Sequence, residues 1–114
     1  MKKSLMNRLL LSVLFVVCTF AQVVAGGGKQ ATFKVSGNCG MCERKIEGAA
    51  TSLKGVKSAA WSQETKALVV VYNEKLVKLD DIKAKIAAAG YDTEGKVASQ
   101  EAYDGLPGCC KYDR

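Results

Sequence analysis

Along residues 31–97 the spacing of the hydrophobic residues switches between that of a strand and that of a helix, and the order of these switches limits the possible folds. Residues 31–36 alternate in hydrophobicity, with Phe33 and Val35 on one face, which predicts a strand. The apolar residues that follow recur at the spacing of a helix, which ends near Gly55. The stripe along this helix consists of Cys42, Ile46, Ala49 and Leu53.

The rest of this region predicts two strands, a second helix and a final strand. Residues 56–63 and residues 67–72 are the two strands, and the second is the clearer because it holds a run of β-branched and other apolar side chains. The helix after them ends at Gly90, and residues 91–97 supply the last strand. Its apolar stripe consists of Leu79, Ile82 and Ile86. We therefore expect an α+β fold, a ferredoxin-like βαββαβ sandwich in which a four-stranded antiparallel sheet carries two helices on one face.

Residues 1–25 have the three parts of a secretory signal peptide. A basic start precedes an apolar run over residues 9–17, and residues 23–25 carry the small-residue pattern that a signal peptidase cleaves. The apolar run is shorter than the roughly 20 residues that a transmembrane helix needs, so an uncleaved anchor is the less favoured alternative. We expect cleavage before a flexible lead-in at residues 26–30 and a periplasmic or secreted location.

Cys18 lies inside this segment and raises the alternative of a lipid anchor. A lipoprotein signal places a small residue before the cysteine that accepts the lipid, whereas Val17 precedes Cys18. We therefore expect Cys18 to be removed with the signal. The mature protein is then not associated with a membrane unless Cys18 is lipidated.

The composition excludes several classes of function. The chain of 114 residues has room for one small domain, and it contains no histidine, which excludes Ser-His-Asp and Cys-His catalysis and any imidazole metal site. Its net charge is +6, but three of the basic residues lie in the signal segment. The remaining basic charge is weak and scattered, so we expect no nucleic-acid partner.

Cys39 and Cys42 form a C-x-x-C motif at the predicted junction of the first strand and the first helix. The first turn of a helix has unpaired N–H groups and a partial positive charge, both of which favour thiolates. Two thiolates placed there can converge on one ion. Because both candidate ligands are sulfurs, the motif favours a soft ion such as Cu(I).

Three other interpretations of the motif remain open. An exported protein meets an oxidising compartment, where the pair can form a disulfide. A C-x-x-C at the start of a helix also occurs in thiol–disulfide redox proteins, although Gly40-Met41 between the cysteines and the βαββαβ order are not those of a thioredoxin-like site. Structural Zn(II) is the third interpretation and would require all four cysteines of the mature chain. These are Cys39, Cys42, Cys109 and Cys110.

The residues around the motif resemble the heavy-metal-associated domain family. The matching segments are Gly37-Asn38-Cys39-Gly40-Met41-Cys42, Lys45-Ile46-Glu47, Gly55-Val56, Val70-x-Tyr72 and Gly90-Tyr91-Asp92. The resemblance covers residues 31–97. This family includes copper chaperones, the N-terminal repeats of copper-transporting ATPases and the periplasmic mercury-binding protein.

The resemblance implies Cu(I) bound near the surface by Cys39 and Cys42 and passed on through shared thiolates, with Hg(II) as the alternative cargo. It implies a binding protein rather than an enzyme, and a metal-transporting ATPase or efflux component as partner. The expected state is a monomer, or a dimer bridged by the ion. Tyr91 matches the family position beside the metal loop, and a half-buried aromatic in the fourth strand is the alternative interpretation.

The chain departs from the family pattern in the metal loop. The family has Gly-Met-x-Cys, in which a buried methionine supports the loop, whereas this chain has Ser36-Gly37-Asn38-Cys39. Gly37 cannot fill that volume, so we expect either a looser loop or another group packed there. Met41 is a candidate for that group, and an exposed or core side chain is the alternative.

The second departure is a tail, residues 98–114, that carries Cys109 and Cys110. The segment from Val97 to Cys109 reaches at most ~40 Å when extended, which is enough to return to the metal loop. The two cysteines are therefore candidates for additional metal ligands or for redox-active partners of the C-x-x-C pair. Alternatively the tail is held only by packing of its large side chains, and the fold does not need it. These side chains are Tyr103, Leu106 and Tyr112.

Overall fold

The computed structural model describes residues 28–114. The predicted signal peptide, Cys18 and the first two residues of the lead-in lie outside the described residues. The elements in chain order are β1 (Lys29–Lys34), α1 (Gly40–Thr51), β2 (Val56–Trp61), β3 (Ala67–Tyr72), α2 (Leu79–Ala88), α3 (Gln100–Asp104) and a 3-10 turn (Gly108–Cys110). Within this part of the chain, no helix is both long and apolar enough to span a membrane.

The sheet has three antiparallel strands in the order β1-β3-β2. The central strand is β3, the most apolar of the three, and its side chains alternate between a buried face and a half-buried face. Phe33 of β1 and Trp61 of β2 both pair with Leu68 of β3. The strand β1 begins at Lys29, inside the predicted lead-in, because Lys29 pairs with Tyr72 at the end of β3.

The helices α1 and α2 pack on the buried face of the sheet, as the sequence predicts. The apolar stripe of α1 enters the core through Cys42 and Ile46, and that of α2 enters it through Ile82 and Ile86. This arrangement confirms an α+β fold with two helices packed on the sheet.

Residues 91–97 do not form the continuous fourth strand predicted from the sequence. Thr93 makes an isolated bridge to Val35, the residue that follows β1, and a second isolated bridge to Lys96. The reason lies at Gly95, whose φ of 86° turns the chain back so that the Thr93 amide donates to the Lys96 carbonyl. The described sheet therefore has three strands and a short bridged segment at the position of the fourth.

The tail packs onto the domain at Gly90. The φ of Gly90 is 109°, and a Cβ there would lie 2.8 Å from the carbonyl oxygen of Ala102 and 2.9 Å from the side chain of Leu106. Leu106 and Tyr112 are both buried in the core cluster. Glycine therefore permits a close approach that brings residues 98–114 against the end of α2.

Candidate metal-binding site

Cys39 and Cys42 lie at the start of α1, where the sequence predicts them. Cys39 is the last residue before the helix and has an extended backbone, whereas Cys42 is in the first turn and is fully buried. Their Sγ atoms are 3.5 Å apart. This separation lets both sulfurs contact one ion, and the partial exposure of Cys39 leaves the pair open to the surface.

Trp61 is the group that packs beneath the metal loop. A Cβ at Gly37 would lie 3.0 Å from the indole ring and 3.2 Å from Ile46. The indole Nε1 donates a hydrogen bond of 3.0 Å to the carbonyl of Val35. The expectation of another group in this volume is confirmed, and the group is not Met41, whose side chain is 40% exposed.

Lys66 holds the same loop from the turn between β2 and β3. Its Nζ donates a hydrogen bond of 2.6 Å to the Gly37 carbonyl and lies 5.4 Å from the centre of the Trp61 ring. The backbone of Lys66 has a φ of 63°, which is uncommon for a residue other than glycine. The sequence identifies only a polar turn here, because nothing local indicates where the ammonium group points.

The tail brings Cys110 into the site and leaves Cys109 at the surface. The Sγ of Cys110 is fully buried and lies 3.9 Å from that of Cys39. The Sγ atoms of Cys39, Cys42 and Cys110 all lie within 4.8 Å of one another. Cys109 is exposed, with its Sγ 4.0 Å from the Sδ of Met41. All four cysteines of the described residues are free thiols.

Polar contacts on the far side of Cys110 anchor the tail. The Tyr112 hydroxyl donates to the Gly90 carbonyl at 2.8 Å and accepts from the Asp92 amide at 2.9 Å. The guanidinium of Arg114 forms a two-point ion pair with Asp92, at 3.0 and 3.1 Å. Cys110 therefore sits in a segment that is held to the domain both before and after it.

Tyr91 lies beside the thiols and is fully buried, not half-buried. Its hydroxyl has no hydrogen-bond partner among the described residues. Burial raises the pKa of this phenol far above its usual range, and the neighbouring thiols of Cys110 and Cys42 raise it further. Tyr91 therefore presents a neutral hydroxyl donor to the sulfur cluster.

The thiols of the cluster differ in acidity. Interaction with the backbone amide of Cys42, and then with its thiol, lowers the pKa of Cys39 to about 7. Burial, with a further contribution from Cys42, raises the pKa of Cys110 to about 12. Cys39 is thus readily available as a thiolate at neutral pH, while a soft ion would have to displace the proton of Cys110.

Comparison with protein families identifies the class of protein. Residues 32–92 match the model of the heavy-metal-associated domain, so the chain belongs to that family. The resemblance in the sequence is confirmed. The match ends before the tail, so Cys109 and Cys110 lie outside the part of the chain that the family model describes.

Solved structures of similar fold include proteins described as binding copper. The CopZ metallochaperone is 32% identical, with a TM-score of 0.56, over 57% of this chain and 98% of that one. A copper-binding domain from HMA7, a P-type ATPase, is 31% identical, with a TM-score of 0.55, over 56% of this chain and 88% of that one. Oxidized MerP from Ralstonia metallidurans CH34 is 22% identical, with a TM-score of 0.50, over 57% of this chain and 94% of that one, and shows the shared fold alone. No curated protein sequence is significantly similar to the chain.

Proposed function

We propose that this protein is an exported Cu(I) chaperone that binds the ion through Cys39 and Cys42 and delivers it to a partner without catalysing a reaction. The observation that carries the proposal is the pair of sulfurs 3.5 Å apart at the start of α1. Membership of the heavy-metal-associated family supports a metal-binding role for this pair, and the acidity of Cys39 favours binding at neutral pH.

The chemistry of the cluster favours Cu(I) over the other candidate ions. The ligand group in the described part of the chain consists of three thiols, and such soft donors suit Cu(I) or Hg(II). Structural Zn(II) takes four protein ligands, and the fourth thiol, Cys109, is not part of the group. Copper is favoured over mercury because a neighbour of 31% identity is described as a copper-binding domain of a P-type ATPase.

The exposure of Cys39 supports transfer by ligand exchange. An incoming thiolate forms a new sulfur–copper bond at the accessible side of the ion while the bond to Cys39 breaks. The ion remains Cu(I), and the thiolate of Cys39 takes up a proton from water. The similar fold of a copper-binding P-type ATPase domain supports an ATPase of that kind as the partner.

Export is proposed from the amino-terminal sequence. Its basic start, apolar run and small residues before position 26 support cleavage and a periplasmic or secreted location. Mass measurement of the protein purified from its host tests this: we expect a chain that begins near Gly26. A lipid-modified mass at Cys18 would contradict release from the membrane.

A thiol–disulfide redox protein is the second candidate function. The closeness of the two sulfurs and the pKa of about 7 for Cys39 favour it, since redox-active C-x-x-C cysteines have similarly lowered values. Reduction of insulin disulfides by the metal-free dithiol protein would support this function. We expect no such activity.

Native mass spectrometry of the reduced protein, mixed anaerobically with one equivalent each of Cu(I) and Zn(II), tests the proposed function. We expect one Cu(I) on the wild-type protein and on the matched control Cys109→Ser, and clearly less copper retained by Cys39→Ser. Preferential retention of Zn(II), or copper binding that survives Cys39→Ser unchanged, would contradict the proposal.

A further inference from the structure

The buried position of Cys110 carries an inference that rests on the proposed function and extends it. With metal–thiolate bonds of about 2.3 Å, three sulfurs arranged in a plane around one ion stand about 4 Å apart. The observed separations are 3.5 Å for Cys39 and Cys42 and 3.9 Å for Cys39 and Cys110. The third separation, between Cys42 and Cys110, is no more than 4.8 Å, so the three thiols lie close to the spacing of a trigonal Cu(I) site.

We propose that Cys110 is the third ligand of the ion and that the tail must release it before the cargo can pass to a partner. The tail thus supplies, within the same chain, the third sulfur that an exposed two-sulfur site would take from another molecule. This makes residues 98–114 part of the metal site.

The structure distinguishes Cys110 from its neighbour Cys109. The 3-10 turn Gly108–Cys110 is closed by a hydrogen bond of 2.9 Å from the Cys110 amide to the Pro107 carbonyl, and the two Sγ atoms lie 4.0 Å apart. Cys110 enters the core, whereas Cys109 is exposed beside Met41. Cys110 is therefore the tail cysteine that belongs to the three-sulfur group, and Cys109 lies at its exposed edge.

The anchors of the tail determine how readily Cys110 is released. Leu106 is buried against Gly90, and beyond Cys110 the Arg114–Asp92 ion pair leaves about a fifth of each side chain exposed. A partner's thiolate forms a bond to Cu(I) as the bond to Cys110 breaks. The copper keeps its oxidation state, and Cys110 leaves as a thiolate that is protonated by water. Loosening the ion pair should therefore speed release without removing a ligand.

Transfer kinetics test the role of the tail. We expect Arg114→Gln to pass Cu(I) to a small-molecule copper(I) chelator several-fold faster than the wild-type protein does. Lys111→Gln, which changes an exposed charge on the same segment, is the matched control and should transfer at the wild-type rate. Equal or slower transfer by Arg114→Gln would overturn control by the tail.

X-ray absorption spectroscopy of the copper-loaded protein tests the third ligand. We expect three sulfur ligands in the wild-type protein and in Cys109→Ser, and two in Cys110→Ser and Cys110→Ala, with about tenfold weaker binding in the last two. Two sulfurs in the wild-type protein would overturn the inference while leaving the chaperone function intact, and this result needs no variant that must fold. Failure of the wild-type protein to retain Cu(I) against a chelator would instead refute the proposed function.

Discussion

The Sγ of Cys110 lies 3.9 Å from the Sγ of Cys39, although 71 positions separate the two residues in the chain. The contact joins the tail to the loop that begins α1. It depends on the close approach at Gly90 and on the anchors of Tyr112 and Arg114. A site that the family pattern would build from two cysteines is thereby enclosed by a third.

Gly37 is expected to tolerate no side chain. In Gly37→Ala the new Cβ would meet the Trp61 ring at 3.0 Å, so we expect a loss of about 1–3 kcal/mol in the free energy of unfolding. Urea unfolding of the metal-free protein measures it. The control is Gly48→Ala, where a Cβ has no neighbour within 4 Å and replacing a helical glycine should stabilise by about 0.5–1 kcal/mol. Equal stability of the two variants would show that Trp61 does not support the loop.

Tyr91→Phe should separate stability from metal affinity. The hydroxyl is buried without a hydrogen-bond partner among the described residues, so its removal should leave the unfolding free energy unchanged or raise it by about 1 kcal/mol. Copper affinity should fall, because a neutral donor beside the thiolates is lost. Urea unfolding of the metal-free variant and chelator competition measure the two effects. Unchanged affinity would mean that Tyr91 only fills space.

The ion pair that anchors the tail should contribute stability in a pH-dependent way. Burial raises the pKa of Asp92, but hydrogen bonds from Arg114 and the Ala98 amide outweigh it and leave the pKa below its usual value. A carboxyl whose pKa is lowered by folding stabilises the protein above the unfolded value of about 3.9, and this contribution disappears as the pH falls through the folded value.

Arg114→Gln should therefore lower the free energy of unfolding at pH 7, and lower it much less at an acidic pH well below about 3.9. Urea unfolding of both proteins at the two pH values measures the difference. The same loss at both pH values would show that Arg114 acts through packing and not through charge. Its guanidinium carbon lies 4.7 Å from the centre of the Tyr103 ring.

Thiol reactivity in the metal-free protein should follow burial and acidity. Iodoacetamide should modify Cys39 and exposed Cys109 first, and the rate at Cys39 should rise with pH with its midpoint near 7. Cys110, buried and with a pKa near 12, should react last together with buried Cys42. Peptide mapping by mass spectrometry follows each site. Modification of Cys110 as fast as Cys109 would mean that the tail is not packed as described.

The sequence predicts the parts of the fold that local patterns determine. The strand β3 lies at the predicted residues, and the predicted apolar stripes of both helices pack in or against the core, because periodicity is a local signal. The predicted fourth strand is not confirmed. Gly95 has a positive φ and turns the chain back, and the sequence pattern does not indicate this backbone conformation. The motif likewise places Cys39 and Cys42 correctly without any tertiary information.

The remaining features of the site depend on contacts between distant residues. Nothing near Gly37 shows that Trp61 fills the space beside it, and nothing near Lys66 shows that its ammonium group reaches the loop. Chain length permits the tail to reach the site, but the adjacent cysteines carry no signal for which of them turns inward. That choice depends on the 3-10 turn and on the burial of Tyr112.

The cysteine Cβ chemical shifts measured by NMR, before and after one equivalent of Cu(I), show directly which cysteines bind the ion. Binding to a metal changes the shift of each coordinating cysteine, so every candidate ligand is read in one experiment on the unmodified protein. We expect changes at Cys39, Cys42 and Cys110, with Cys109 unaffected. Changes confined to Cys39 and Cys42, with Cys110 unmoved, would contradict a site completed by the tail.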